Sequence, residues 1–221
     1  MRLQAVIFDF DGVLCNTVDY HYQSWKRVTE EFGIPFSRAD NDKLLGLTRR
    51  QSLETILNGR FLPEERIDEI LERKNAYYME SVAKMTQDDL LPGVLELLRE
   101  LTSNGVKTAV ASASRNAAVV VQRLKIDSLM DVIVDGNTVK RSKPAPDVYL
   151  EAMACLNVPS EGCIAVEDSQ AGVEAAQVAG LCVIGIGPQE RLAQADVVFS
   201  GLEFVRLKNL LDIHSSWLGS R

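Results

Sequence analysis

Residues 5–12 read Ala5-Val6-Ile7-Phe8-Asp9-Phe10-Asp11-Gly12, an apolar run closed by two aspartates and a glycine. The run carries β-branched members and reads as a buried strand, and Gly12 ends it in a turn. Strand residues two apart face the same way, so Asp9 and Asp11 project together beyond the strand's carboxyl end. Two carboxylates held that close repel each other unless a cation or a proton lies between them. The pair suits Mg²⁺ with a nucleophilic carboxylate, or an acid/base pair; an acidic turn after a strand is the plainer alternative.

Working outward, residues 18–84 carry a helical pattern with no convincing strand. Tyr20, Trp25, Val28 and Phe32 sketch one amphipathic face, which Gly33-Ile34-Pro35 stops. Pro63-Glu64-Glu65 starts a later helix in the way a first-turn proline does. From Pro92 onward helix and strand alternate: helices over 95–101, 116–124, 146–156 and 169–179, strands over 108–111, 132–134, 164–166 and 183–186. No internal repeat or low-complexity segment interrupts the pattern.

Strands separated by helices imply parallel pairing with right-handed crossovers. The fold class is therefore α/β, a doubly wound, Rossmann-like parallel sheet with an inserted α-helical cap. The core comprises 1–15 and 88–221, and the cap 16–87. Such sheets bind ligands outside the carboxyl ends of their strands, at the switch point. Short connectors near Asn16 and near Asp88-Asp89 let the cap hinge over that crevice.

The 221 residues are enough to bury a full core, and 46% hydrophobic with 25% charged content is ordinary for a globular protein. A net charge of −7 disfavours nucleic acid and anionic membrane surfaces as partners. It leaves anionic small molecules open, because local lysines and metal ions set the field in a cleft. Cys15, Cys155, Cys163 and Cys182 show no metal-ligand spacing, and Cys163 and Cys182 read as buried thiols. No apolar stretch approaches membrane-spanning length and no signal peptide is read, so a cytoplasmic monomer is expected.

The strand-end rule collects four polar stations. The first strand delivers Asp9 and Asp11. The strand over 108–111 delivers Ser112, with Ser114-Arg115-Asn116 opening the next helix. Lys143 precedes Pro144 in a loop, and the strand over 164–166 delivers Glu167-Asp168. Each has a bland alternative: N-cap serines, a solvated loop lysine, acids at a helix start. Together they divide by charge into a phosphoryl-transfer site. Asp9, Glu167 and Asp168, with the backbone carbonyl of Asp11, offer oxygens to Mg²⁺. Lys143 and the Ser112 hydroxyl hold the remaining phosphoryl oxygens. Asp9 is a competent nucleophile toward phosphorus, and Asp11 is placed to move protons at the leaving and attacking oxygens.

These four stations resemble the signature motifs of the haloacid dehalogenase superfamily of phosphoryl-transfer enzymes. Within it the chain resembles the β-phosphoglucomutase family, through Asp11-Gly12-Val13, Tyr20-His21, Trp25-Lys26, Gly46, Arg49, Ser52, Arg73-Lys74-Asn75, Ser142 to Asp147 and Glu167 to Gly172. The resemblance implies that Asp9 is the phosphorylated nucleophile and Asp11 the general acid/base. It implies that Arg49 grips the distal phosphate of a glucose bisphosphate, aided by Arg115 and Asn116, with Ser114 among the substrate-binding residues. Gly46 and Leu47 would contact the sugar, Thr17, Trp25 and Ser52 would join the substrate set, and His21 with Lys74 would couple substrate binding to cap closure. Asn16, Leu45 and Arg115 depart from the family pattern, which has aspartate, lysine and lysine there. The expected activity is a Mg²⁺-dependent sugar phosphomutase acting on β-D-glucose 1-phosphate, with a sugar-phosphate phosphatase as the alternative. A receiver-type phospho-acceptor module shares the strand-end acids but is about half this length and lacks a helical insert.

Overall fold

The computed structural model describes residues 2–44 and 47–220. Strand β1 (Ala5–Phe8) is central in a sheet with β2 (Lys107–Ala111), β3 (Val132–Val134), β4 (Cys163–Glu167), β5 (Cys182–Ile186) and β6 (Val197–Phe199). The order is β3-β2-β1-β4-β5-β6 and every pairing is parallel. The chain reverses its direction of travel across the sheet at β1, which makes the carboxyl end of β1 the switch point.

The apolar composition of β1 follows from its place. Val6 and Phe8 face one layer, packed on α5 (Val94–Ser103), α6 (Ala117–Arg123) and α9 (Leu207–Gly219). Ala5 and Ile7 face the other, against α7 (Asp147–Leu156) and α8 (Gln170–Val178). Val6, Ile7 and Phe8 are each fully buried, and such burial stabilises by about 1.5–3 kcal/mol per side chain. Phe8 pairs with Val110 on β2 and Val166 on β4, so Asp9 emerges beside Ala111 and Glu167.

Between β1 and β2 lie α1 (Val18–Glu31), α2 (Arg38–Asn41), α3 (Arg49–Leu57) and α4 (Glu64–Val82). They pack on their own apolar cluster of Trp25, Val28, Ile34, Leu44, Leu53, Leu57 and Ile70. The segments linking this block to the sheet run side by side. Cys15 bridges Leu90, the Leu91 N–H donates to the Leu14 carbonyl over 3.0 Å, and the Tyr20 hydroxyl donates to Asp89 over 2.8 Å.

Several details differ from the sequence expectation. The buried face of α1 runs through Tyr22, Trp25, Val28 and Thr29, while Tyr20 is drawn to the connecting segments by Asp89. Pro63 stands one residue before α4, at its N-cap. The sheet continues past Ile186 into β6, and α9 follows. β6 is a three-residue, half-buried edge strand, too short to show a period. Helix α9 does carry a signal, since its buried Leu207, Leu210 and His214 recur at helical spacing. All four cysteines are free thiols, three of them buried and Cys155 exposed. No described helix is long and apolar enough to cross a membrane.

Candidate active site

The carboxyl ends of β1, β2 and β4 and the underside of α1, α3 and α4 enclose a cavity of about 630 Å³. Its core side is built around Lys143, whose ammonium is 2.5 Å from Asp9 Oδ1 and 2.5 Å from Glu167 Oε1. A third bond, 3.0 Å to the Ala111 carbonyl, uses its last proton. The side chain is 1% exposed, so Lys143 is not a solvated loop residue. Burial alone would discharge it, but Asp9 and Glu167 hold its pKa above the ordinary lysine value.

Glu167 is buried completely and its oxygens are already engaged. Oε1 also accepts from the Tyr149 hydroxyl at 2.6 Å, and Oε2 accepts from the Asp168 and Ser169 N–H groups and the Ser169 hydroxyl. Gly172, in the first turn of α8, leaves room for this carboxylate, since a Cβ there would run into it. Gly12 does the same for Asp168 and holds φ at 89°, where a glycine is favoured.

Asp9, Glu167 and Asp168 bring carboxylate oxygens within 4.8 Å of one another. Burial, and then the Glu167 charge, raise the Asp168 pKa to about 7, and burial raises Asp9 well above its ordinary value despite Lys143. Three carboxylates facing one ammonium is a site deficient in positive charge. An oxygen-only donor set of this kind fits a hard divalent cation.

The Asp11 carboxylate is not in that cluster, in keeping with a sequence reading that offered only its backbone carbonyl to the metal. It accepts from the Thr17 hydroxyl and lies 3.8 Å from His21 Nε2. Burial pushes its pKa up, but His21, Thr17 and the Lys74 charge outweigh this and leave it lowered. Thr17, expected as a substrate contact, is fully buried and stands outside the cavity lining. Its position at the N-cap of α1 directs its hydroxyl to Asp11 instead.

On the cap side, Lys74 Nζ lies 2.7 Å from His21 Nδ1 and 4.8 Å from the Tyr78 ring centre, and His21 stacks on Tyr78 at 4.3 Å. An ammonium donates only, so His21 accepts at Nδ1 and, when neutral, carries its proton on Nε2 toward Asp11. Burial and the Arg49 charge depress the Lys74 pKa strongly, and burial followed by Lys74 depresses His21. Lys74 is thus a buried group and not part of a charged helix face.

Arg49 opens α3 and Arg115 precedes α6. Burial and then the Arg115 charge lower the Arg49 pKa, a sign of two cations sharing a space. Neither guanidinium pairs with a carboxylate among the described residues. Arg49 Nη2 donates to Asn75 Oδ1 at 2.7 Å, and Asn116 Nδ2 donates to the same oxygen at 2.9 Å. Ser112 Oγ accepts from the Ser114 N–H at 3.0 Å, and Ser114 Oγ from the Asn116 N–H at 3.2 Å. The serines therefore order the turn while the Ser112 hydroxyl proton stays available to a ligand.

Asp9, Asp11, His21, Trp25, Leu47, Arg49, Ser52, Lys74, Ser112, Ser114, Arg115, Asn116, Lys143 and Asp168 all line the one cavity. Gly46 lies outside the described residues, as does Leu45. Sequence reasoning assigned no role to Tyr149 or Gln51, and quoted Asn75 only as part of the resemblance. Tyr149 lies within the helix read over 146–156, where nothing in the sequence marks it out from the apolar residues around it. Gln51 closes the N-terminal capping box of α3 with Thr48 and also accepts from the Ser142 hydroxyl at 3.0 Å, joining cap to core.

A sequence profile described as haloacid dehalogenase-like hydrolase matches residues 6–186. The chain is 38% identical over 220 residues to a β-phosphoglucomutase of Bacillus subtilis, covering 97% of this chain and 96% of that one. It is 32% identical over 181 residues to a phosphorylated carbohydrates phosphatase of Thermotoga maritima, covering 81% and 82%. A crystal structure of β-phosphoglucomutase from Clostridium difficile superposes with a TM-score of 0.95 at 33% identity, over 98% of this chain and 99% of that one. By profile, by identity along nearly its whole length and by fold, the chain belongs to the haloacid dehalogenase-like hydrolase family.

Proposed function

We propose that the protein is a Mg²⁺-dependent sugar phosphomutase. It interconverts β-D-glucose 1-phosphate and glucose 6-phosphate through an aspartyl-phosphate enzyme and β-glucose 1,6-bisphosphate. The observation that carries this reading is a second anion site, Arg49 with Arg115 and Asn116, in the same cavity as Asp9. A mutase must hold one phosphate while the other is transferred, and an arginine fork suits that task. The identity to a β-phosphoglucomutase supports the same reading.

Asp9, Glu167 and Asp168, with the Asp11 backbone carbonyl, are the groups that would hold Mg²⁺. Bound there, the ion offsets charge on the carboxylates and the transferring phosphoryl group. Lys143 engages Asp9 Oδ1, which leaves Oδ2 to attack phosphorus. The Ser112 hydroxyl binds a phosphoryl oxygen, and the Lys143 charge, its three protons held by Asp9, Glu167 and Ala111, stabilises the phosphoryl group electrostatically. Asp11, ionised at rest, takes the proton of the attacking sugar hydroxyl and returns it to the leaving oxygen in the reverse half-reaction. Closure of residues 16–87 over the sheet excludes water from the aspartyl phosphate.

A phosphatase on the same scaffold is the second reading, favoured by the 32% identity to a phosphorylated carbohydrates phosphatase. A product-resolved assay separates the two. With Mg²⁺, β-glucose 1-phosphate and a trace of glucose 1,6-bisphosphate, the expected product is glucose 6-phosphate with little free phosphate. Arg49→Ala then lowers isomerisation by roughly 100-fold, the loss of a charge-assisted phosphate contact. Free phosphate alone overturns the mutase.

A further inference from the structure

Asn41 closes α2 and is 5% exposed, yet it lines the active-site cavity. Its carboxamide makes no hydrogen bond among the described residues, and the same holds for the 4% exposed Ser52 hydroxyl in the same wall. Trp25, Leu44 and Leu71 line the same cavity, as do the charged Asp68 and Glu72 of α4. Other buried polar groups of the helical block are paired: Thr29 donates to the Trp25 carbonyl at 2.8 Å, and Ser24 to the Tyr20 carbonyl at 2.7 Å.

An unpaired carboxamide that meets solvent only in a cavity is hydrated there, and a ligand that displaces that water must supply the partner or leave it unsatisfied. Asn41 is uncharged, unlike the arginines that suit phosphate. It offers one acceptor and two donors, the complement of a hydroxyl that both gives and takes a proton. We infer that Asn41 reads a ring hydroxyl of the bound sugar and is a specificity-determining residue. The inference rests on the sugar-phosphate reading of this cavity but not on whether the product is an isomer or free phosphate.

The test compares β-glucose 1-phosphate with its 2-, 3- and 4-deoxy analogues, following total substrate consumption in the wild-type protein and in Asn41→Leu, of similar volume. In the wild type, removal of one of these hydroxyls lowers kcat/KM by about tenfold or more, while in Asn41→Leu the same removal changes it by less than about twofold. If Asn41→Leu does not fold, the isosteric Asn41→Asp replaces it, and its preference at that position departs from the wild type because the amide donors are gone. Identical preferences at all three positions in wild type and variant overturn the inference while leaving the phosphoryl-transfer reading intact. A wild-type protein that consumes no hexose phosphate overturns that reading, and the inference with it.

Discussion

Asn116, at the start of α6 on the sheet side, donates its side-chain amide to Asn75 on α4 of the cap across 2.9 Å. The Asn75 oxygen that accepts this bond also accepts from Arg49 at 2.7 Å. One carbonyl oxygen thus sets the position of two groups proposed to hold the distal phosphate, and it does so across the cap–core boundary.

Asn75→Ala removes that common acceptor without touching the phosphoryl-transfer groups. The expected result is a loss of about 10–100-fold in kcat/KM, the range for a hydrogen bond to a charged group. Thermal stability changes little, because Asn75 is only partly buried. Steady-state kinetics with melting curves on the same preparation checks both parts.

Lys143→Met leaves Asp9 and Glu167 facing each other in a buried space with no counter-charge. Removing one partner of a buried ion pair destabilises by about 3–5 kcal/mol. Urea unfolding in the presence of a chelator is expected to show a loss of this size, and the variant should have no measurable turnover.

Metal removal is expected to abolish turnover and lower the unfolding midpoint. Saturating Mg²⁺ restores both, stabilising by about 2.7 kcal/mol at a hundredfold excess over its Kd. Asp168→Asn, which withdraws one of the three clustered carboxylates, weakens that response. Calorimetric titration of Mg²⁺ into the chelated wild type and variant reads the difference directly.

His214, 2% exposed on α9, makes a 2.9 Å hydrogen bond from Nε2 to the Glu161 carbonyl. Burial lowers its pKa, with that carbonyl opposing the shift. The unfolded chain therefore binds the proton more readily than the folded one, so stability is full above pH 6.5, the ordinary histidine value, and falls as pH drops below it. His214→Gln, which keeps a donor but cannot titrate, should flatten the stability profile between about pH 7 and pH 5. An equally steep profile in the variant would place the acid sensitivity elsewhere.

The alternation of short apolar strands with helices was enough to determine the doubly wound class, because a strand buried on both faces must be apolar throughout. Crossover rules then made the pairing parallel and put Asp9, Ser112 and Glu167 at strand ends on one side of the sheet, while the order of the strands came only from the structure. Those positions are legible because backbone hydrogen bonding ties each residue to its neighbour on the next strand. What the sequence could not decide is where side chains from distant elements meet. Lys143 reaches Asp9 from 134 residues away and Lys74 reaches His21 from 53. Read singly, each lysine resembled a solvated one; only the enclosing structure removes the water and makes the pairing obligatory. The turning of Asp11 toward Thr17, the engagement of Glu167 by Tyr149 and the sharing of Asn75 by Arg49 and Asn116 are decided in the same way. Packing sets which rotamers fit, and the cost of an unpaired buried group then selects the partner.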